Sequence, residues 1–290
     1  MSPSSRIPVS TKQASNGIQS ISRAALLLRT LATFGSRGAS LTQVTALSNL
    51  PKATTFRLLT ALVDERLVER PRRTRLYRLG PEILSFGIST YNANNLKDIS
   101  FGSLERISKN WGITAYLGIR NGYDMLCLLK VESECEKLNL IMDVNDRWPL
   151  GIGSFSLALL AFLKESEISE IVEFNRRRMA GLDTLTFEYI ERSINKTRRN
   201  GYAKRVMRSN RGLAGVSVPV FDPLNRPIAS ICVVSKSERL KNGFLREIIK
   251  AMKEESSLIG STYEDQLLQY QQKETWRLAV RSSYAHRIPE

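Results

Sequence analysis

In the stretch LPKATTFRLLTAL (residues 50–62), Lys52, Phe56, Arg57 and Thr60 recur at i, i+4, i+5 and i+8. That spacing puts them on one face of a helix, while Thr55, Leu58, Leu59 and Leu62, at i, i+3, i+4 and i+7, share the opposite face. The second stripe is made to be buried. The first carries the chemistry of base reading. Arg57 and Lys52 suit guanine acceptors or phosphates, Thr54 and Thr60 suit phosphates or bases, and Phe56 suits a thymine methyl. Between residues 66 and 78 stand six arginines and one acid, Glu69. A tip so basic repels itself unless it meets phosphates or a minor groove.

Catalytic chemistry finds little to work with. His286, the single histidine, stands four residues before the last position, which nearly excludes a Ser-His-Asp or Cys-His device. GIGSFS does not fit the G-x-S-x-G nucleophile elbow, no P-loop follows a glycine cluster, and the acids of VESECEK read as a solvated turn. Cys127, Cys135 and Cys232 are far apart with no CxxC pair, which points to a reduced cytoplasmic protein without a zinc site. No enzyme, cofactor or metal is expected. The longest apolar run, LALLAFL, is too short for a membrane span, and MSPSSRIPVSTKQASNG lacks the core of a secretion signal.

The elements that must position the basic face follow in order. Ile21, Leu27, Leu28, Leu31 and Phe34 form a first helix that Gly35 ends. Ser40 and Gln43 have capping-box spacing for a second helix, with Leu41, Val44 and Leu47 turned inward. Thr42 and Gln43 at its start join the candidate DNA contacts, as does Thr55 in the third helix. Pro51 opens the third helix at its favoured first position. Residues 67–69 and 75–79 then read as short strands around a turn at 71–74, whose Arg72, Arg73 and Arg75 face the phosphates. Helix, helix-turn-helix and two-stranded ribbon make a winged helix-turn-helix, which lays its third helix in the major groove. Charge agrees: residues 1–80 carry 13 Lys and Arg against 3 acids, whereas the rest carry 30 against 25.

From Gly80 the pattern changes. Residues 81–110 read as linker helices, and ITAYLGIRNGYDMLCLLKV as a hairpin turning at Asn121-Gly122. Further strands are expected at 138–144, 216–221 and 228–235, and helices at 155–163, 168–174, 188–199 and 244–266. The fold class is α+β: an N-terminal winged helix-turn-helix followed by an α/β domain with a mainly antiparallel sheet. The boundaries are a disordered tail at 1–17, the DNA-binding domain at 18–80, linker helices at 81–110, a second domain at 95–267 and a flexible tail at 268–290.

LPKATTFRLLTALVDERLVER, LYRLG (76–80), RWPLGIGSFSLALLAFL (147–163) and NGYAKR…GVSVPVFDPLNRPIASICV (200–233) together resemble the IclR family of bacterial transcriptional regulators over roughly residues 18–265. The resemblance implies a GAF-like effector domain, and dimers or tetramers on a double-stranded DNA operator. It also implies a small organic effector, a carboxylate and possibly aromatic. In such domains the ligand lies against the sheet under the segment like WPLGIGSFS. That points to Gly151, Ile152, Gly153 and Ser154, where close backbone approach and free helix amides suit a carboxylate. Across the pocket, Arg205 in the 201–212 loop favours an anion, and Ser217 and Cys232 lie on strands that can face it. Three departures stand out: Ala53 replaces a frequent serine, Arg66 replaces the glycine that ends the recognition helix, and the wing turn PRRT has no glycine. A second reading is a non-specific nucleic-acid-binding or scaffold protein whose second domain takes a protein partner.

Overall fold

The computed structural model describes residues 19–91, 96–135, 138, 142–179, 187–206 and 212–285. It divides into two compact units after residue 92.

In the first unit, α1 (Gln19–Ala32), α2 (Leu41–Ser48) and α3 (Lys52–Asp64) enclose Leu27, Leu31, Val44, Leu59 and Leu62. The capping box at α2 is complete: the Ser40 N–H donates to Gln43 Oε1 at 2.9 Å, and the Gln43 N–H donates to Ser40 Oγ at 3.3 Å. Pro51 sits one place earlier than expected, as the N-cap of α3. Leu47, expected inside, is 56% exposed. An i, i+3, i+6 series drifts off a helix face, and Ser48, at i+7 from Leu41, is the residue that is buried.

Strands β1 (Val68–Glu69) and β2 (Arg78–Leu79) form the wing, shorter than the sequence implied. Mutual backbone hydrogen bonds of 2.8 Å between Ala39 and Tyr77 fasten it to the start of α2. Arg66 adopts φ +58°, so the left-handed turn after α3 persists with arginine in the glycine position. That conformation costs about 1 kcal/mol relative to glycine. Helix α4 (Pro81–Tyr91) ends the unit.

The second unit is a three-layer arrangement around a six-stranded antiparallel sheet of order β5-β4-β3-β8-β7-β6. The strands are β3 (Thr114–Asn121), β4 (Asp124–Val131), β5 (Arg147–Pro149), β6 (Ala203–Val206), β7 (Leu213–Phe221) and β8 (Pro227–Lys236). Alternation sends Ala115, Leu117, Val216, Val218, Ile231 and Val233 to one face. There they meet Leu104 and Ile107 of α5 (Leu96–Trp111) and Ile248 and Met252 of α9 (Asn242–Ala285). Tyr116, Cys127, Cys232 and Ala203 turn to the other face. They pack beneath α6 (Gly153–Leu160), α7 (Glu165–Met179) and α8 (Phe187–Asn200).

Four expectations are corrected here. The β3–β4 loop is Gly122-Tyr123, because Asn121 still pairs with Asp124 and Gly122 takes the positive φ of +65°. The strand expected at 138–144 is not found among its described residues, with 139–141 outside them; the edge strand beside β4 is β5. Strand β6 lies where a loop was expected. Helix α9 continues through Ala285, into the stretch expected to be a flexible tail.

Candidate functional site

The outward face of α3 keeps its chemistry free. Lys52, Phe56, Arg57 and Thr60 are exposed, and Thr54 is half-buried. Phe56 is 47% exposed, a costly place for an aromatic ring on a small unit that meets nothing. Thr60 Oγ1 donates to the Phe56 carbonyl at 3.0 Å, which holds its methyl and hydroxyl along the helix. Thr55 is fully buried, and its hydroxyl donates to the Pro51 carbonyl at 3.2 Å. It belongs to the packed stripe and is withdrawn as a DNA contact. Thr42 and Gln43 are exposed, with the Gln43 carbonyl oxygen committed to the capping box.

The wing divides its arginines into two jobs. Arg78 is paired with Glu69, and Arg70 lies 4.7 Å from the Tyr77 ring centroid while its Nε donates to the Arg75 carbonyl at 3.0 Å. These two shape the ribbon. Arg72, Arg73 and Arg75 are exposed. Arg75 has φ +56°, which supplies the tight wing turn that PRRT builds without glycine.

The second candidate site gathers on the sheet face beneath α6. Gly151 (φ +106°) and Gly153 (φ +76°) turn the chain into α6, which no side chain caps. Ser156 braces the turn: its Oγ accepts from the Gly151 N–H at 3.1 Å and donates to the Ile152 carbonyl. Ile152 is half-buried at the N-cap. Ser154 is 5% exposed and lies 3.2 Å from Ser217 across the gap to β7. A Cβ on Gly215 would fall 2.6 Å from Ser154 Oγ, so glycine is what lets α6 settle this close.

Arg205, on β6 opposite Gly215, reaches over the same turn. Its guanidinium lies 4.8 Å from the Tyr189 ring centroid, and Nη1 donates to the Gly151 carbonyl at 3.4 Å. Nη2 is buried and has no hydrogen-bond partner among the described residues. Such a nitrogen, buried beside a helix start that no side chain caps, has the charge and placement to take an anion. The structure thus brings together Gly151, Ile152, Gly153, Ser154, Arg205, Ser217 and Cys232. Sequence reasoning missed Tyr189, which stacks on Arg205, and Tyr116, which pairs with Cys232 across β3 and β8. The second was findable: in ITAYLGIR, alternation puts a lone tyrosine on the face opposite Ala115 and Leu117.

Burial pushes the Cys232 thiol up to about 11, against the opposing hydrogen bonds of Ser217 and Ser154, and the Cys127 thiol up to about 12. Neither forms appreciable thiolate near neutral pH. Cys135 is exposed. Titration of the native protein with an aromatic disulfide reagent at pH 7.5 is therefore expected to modify one thiol quickly, and three only after unfolding. Two fast thiols would mean the face beneath α6 is open to solvent. Among the described residues, no group of three or more His, Cys, Asp or Glu could hold a metal, and no helix is long and apolar enough to cross a membrane.

Comparison with known proteins follows the same division. The IclR helix-turn-helix domain matches residues 20–72, and the bacterial transcriptional regulator IclR C-terminal domain matches residues 89–260. The glycerol operon regulatory protein of Streptomyces coelicolor is 26% identical over 239 residues, covering 82% of this chain and 93% of that protein. The transcriptional repressor IclR of Escherichia coli is 23% identical, covering 87% and 94%. Among solved structures, an IclR homologue from Microbacterium hydrocarbonoxydans complexed with 4-hydroxybenzoate superposes with a TM-score of 0.64 at 19% identity, covering 84% of this chain and 99% of that one. The helix-turn-helix unit and the sheet unit are thus each matched by a family domain, and the chain belongs to the IclR family of DNA-binding bacterial transcriptional regulators.

Proposed function

We propose that the protein binds a specific operator as a dimer or tetramer and that a small organic carboxylate, held in the second unit, controls that binding. The observation that carries the effector half is Arg205 Nη2, buried and unpaired beside the start of α6. The carboxylate sits between that nitrogen and the amides after Gly151, with Ser154, Ser217 and Cys232 along its flank. The aromatic acid bound by the Microbacterium hydrocarbonoxydans homologue supports the chemical class. Lys52, Thr54, Phe56, Arg57 and Thr60 read the major groove, Thr42 and Gln43 stand at its edge, and Arg72, Arg73 and Arg75 reach the flanking phosphates. Two copies meet half-sites spaced by whole helical turns of about 34 Å. The effector favours one of two pre-existing placements of the paired helices.

Selection of random DNA at physiological salt, with and without pooled organic acids, tests the reading. A two-fold symmetric sequence whose recovery changes with an acid is the expected result. Binding with a steep salt slope and no enriched sequence would favour the non-specific or scaffold alternative. On the selected operator, Arg57→Ala is expected to cost about 1–3 kcal/mol and to relax one base position. Equal weakening on every sequence would assign Arg57 to a phosphate.

A further inference from the structure

Tyr116 is 2% exposed, and its hydroxyl has no hydrogen-bond partner among the described residues. Phenylalanine would fill the same space without leaving a buried hydroxyl unpaired, so the oxygen calls for an explanation. The ladder fixes where it lies. Tyr116 stands opposite Cys232, Cys232 opposite Ser217, and Ser217 opposite Ala203. Arg205 is two residues along β6 from Ala203, hence on the same face. The row from Tyr116 thus ends at Ala203, and Arg205 lies in the neighbouring row, three strand spacings across and two residues along, about 16 Å from Tyr116 at the backbone. The two side chains stand on one face, and a ligand whose polar ends are separated by one ring or a short chain, with a hydrogen bond at each end, is of the length that joins their tips. Both side chains carry a buried polar atom without a hydrogen-bond partner among the described residues.

The two orphans differ in kind. Arg205 is a cation. Tyr116 is a neutral donor, because burial, followed by the neighbouring Cys232 and Cys127 thiols, holds its phenol well above the ordinary range. It therefore calls for an acceptor oxygen.

We propose that Tyr116 is a specificity-determining residue, and that the effector is a small carboxylate with a second oxygen at its far end, accepting a hydrogen bond from the Tyr116 hydroxyl. This rests on the carboxylate site at Arg205. Acids lacking the far oxygen fit the Arg205 end and leave Tyr116 unpaired, so they bind more weakly.

The test is calorimetric titration of the full chain with two matched pairs of probes, benzoate against 4-hydroxybenzoate and pentanoate against glutarate. The wild type is expected to prefer the member with the far oxygen in at least one pair by about 3–10-fold, the value of one neutral hydrogen bond. Tyr116→Phe is expected to bring that preference to about one with the plain acid's affinity kept. Its unfolding midpoint without ligand should stay level or rise, whereas a purely structural tyrosine would lower it. A preference that survives in Tyr116→Phe, or no preference in a wild type that binds acids through Arg205, overturns the role of Tyr116 and leaves the carboxylate site standing. Binding of none of the four acids, or binding that Arg205→Gln leaves unchanged, overturns the carboxylate site and this inference with it.

Discussion

Replacing Gly80 with alanine is expected to destabilise the N-terminal unit by about 2–4 kcal/mol while the second unit keeps its own transition. A Cβ at this position would lie 2.0 Å from the Arg66 carbonyl oxygen, 2.9 Å from its carbon and 3.0 Å from the Leu67 carbonyl carbon. All three are backbone atoms, so no side-chain rotation relieves the overlap. Gly80 is not in the left-handed region, and the constraint is therefore space alone. Its N–H donates to the Leu67 carbonyl at 2.9 Å, closing the ribbon end where β2 passes into α4. Pushing the strands apart forfeits that bond as well as the packing of Val68 and Tyr77. Overpacking costs about 1–3 kcal/mol and a lost hydrogen bond about 1 more. A unit of this size has only about 3–10 kcal/mol of stability in total. Calorimetry should show the first transition lowered or gone and operator binding lost with it. An unshifted first transition would mean that the wing can slide away from α3 at little cost.

Arg205→Gln is expected to lower effector affinity by about 10–100-fold, the range for a hydrogen bond to a charged group. Glutamine keeps much of the stem and a donor but removes the charge and the second parallel N–H. Arg205→Lys restores the charge without the planar fork or the stacking on Tyr189, and should recover only part of the loss. In the ligand-free protein the loss is confined to the long Nη1 bond to the Gly151 carbonyl and the stacking on Tyr189, because Nη2 has no hydrogen-bond partner among the described residues. Calorimetric titration with 4-hydroxybenzoate and benzoate reads the affinities. Equal affinity in wild type and Arg205→Gln would place the carboxylate elsewhere.

The DNA-binding half was readable because its evidence is local. The opposed stripes of α3, the capping box of α2 and the wing arginines each follow from spacing a few residues long, and the structure realises the stripes residue by residue. Leu47 failed because three apolar residues at a spacing of three do not share a face for two turns. Strand β6 was missed because Ala203-Lys204-Arg205-Val206 has no apolar alternation: Val206 is 56% exposed and the inner face gets only an alanine and an arginine stem. Strand β5 has three residues, too few to carry a period. The turn at Gly122-Tyr123 was placed one residue early because Asn-Gly is the stronger short signal, whereas the register is set by the pairing of the whole hairpin. Tyr116 and Arg205 are 89 positions apart in the chain, and only the strand order and register bring them to one face in neighbouring rows.

The stretch of sheet between those two residues also joins parts that open on different time scales. Strands β8 and β3 are central, buried on both faces, and their amides are expected to exchange with solvent only when the unit unfolds. Strand β6 is four residues long and ends the sheet, so it can fray alone. Arg205 thus rides on the loosest strand and Tyr116 on one of the most fixed. A ligand spanning the two would couple the fraying of an edge to the opening of the centre, and its arrival would be recorded first as amides of β6 that no longer exchange on their own.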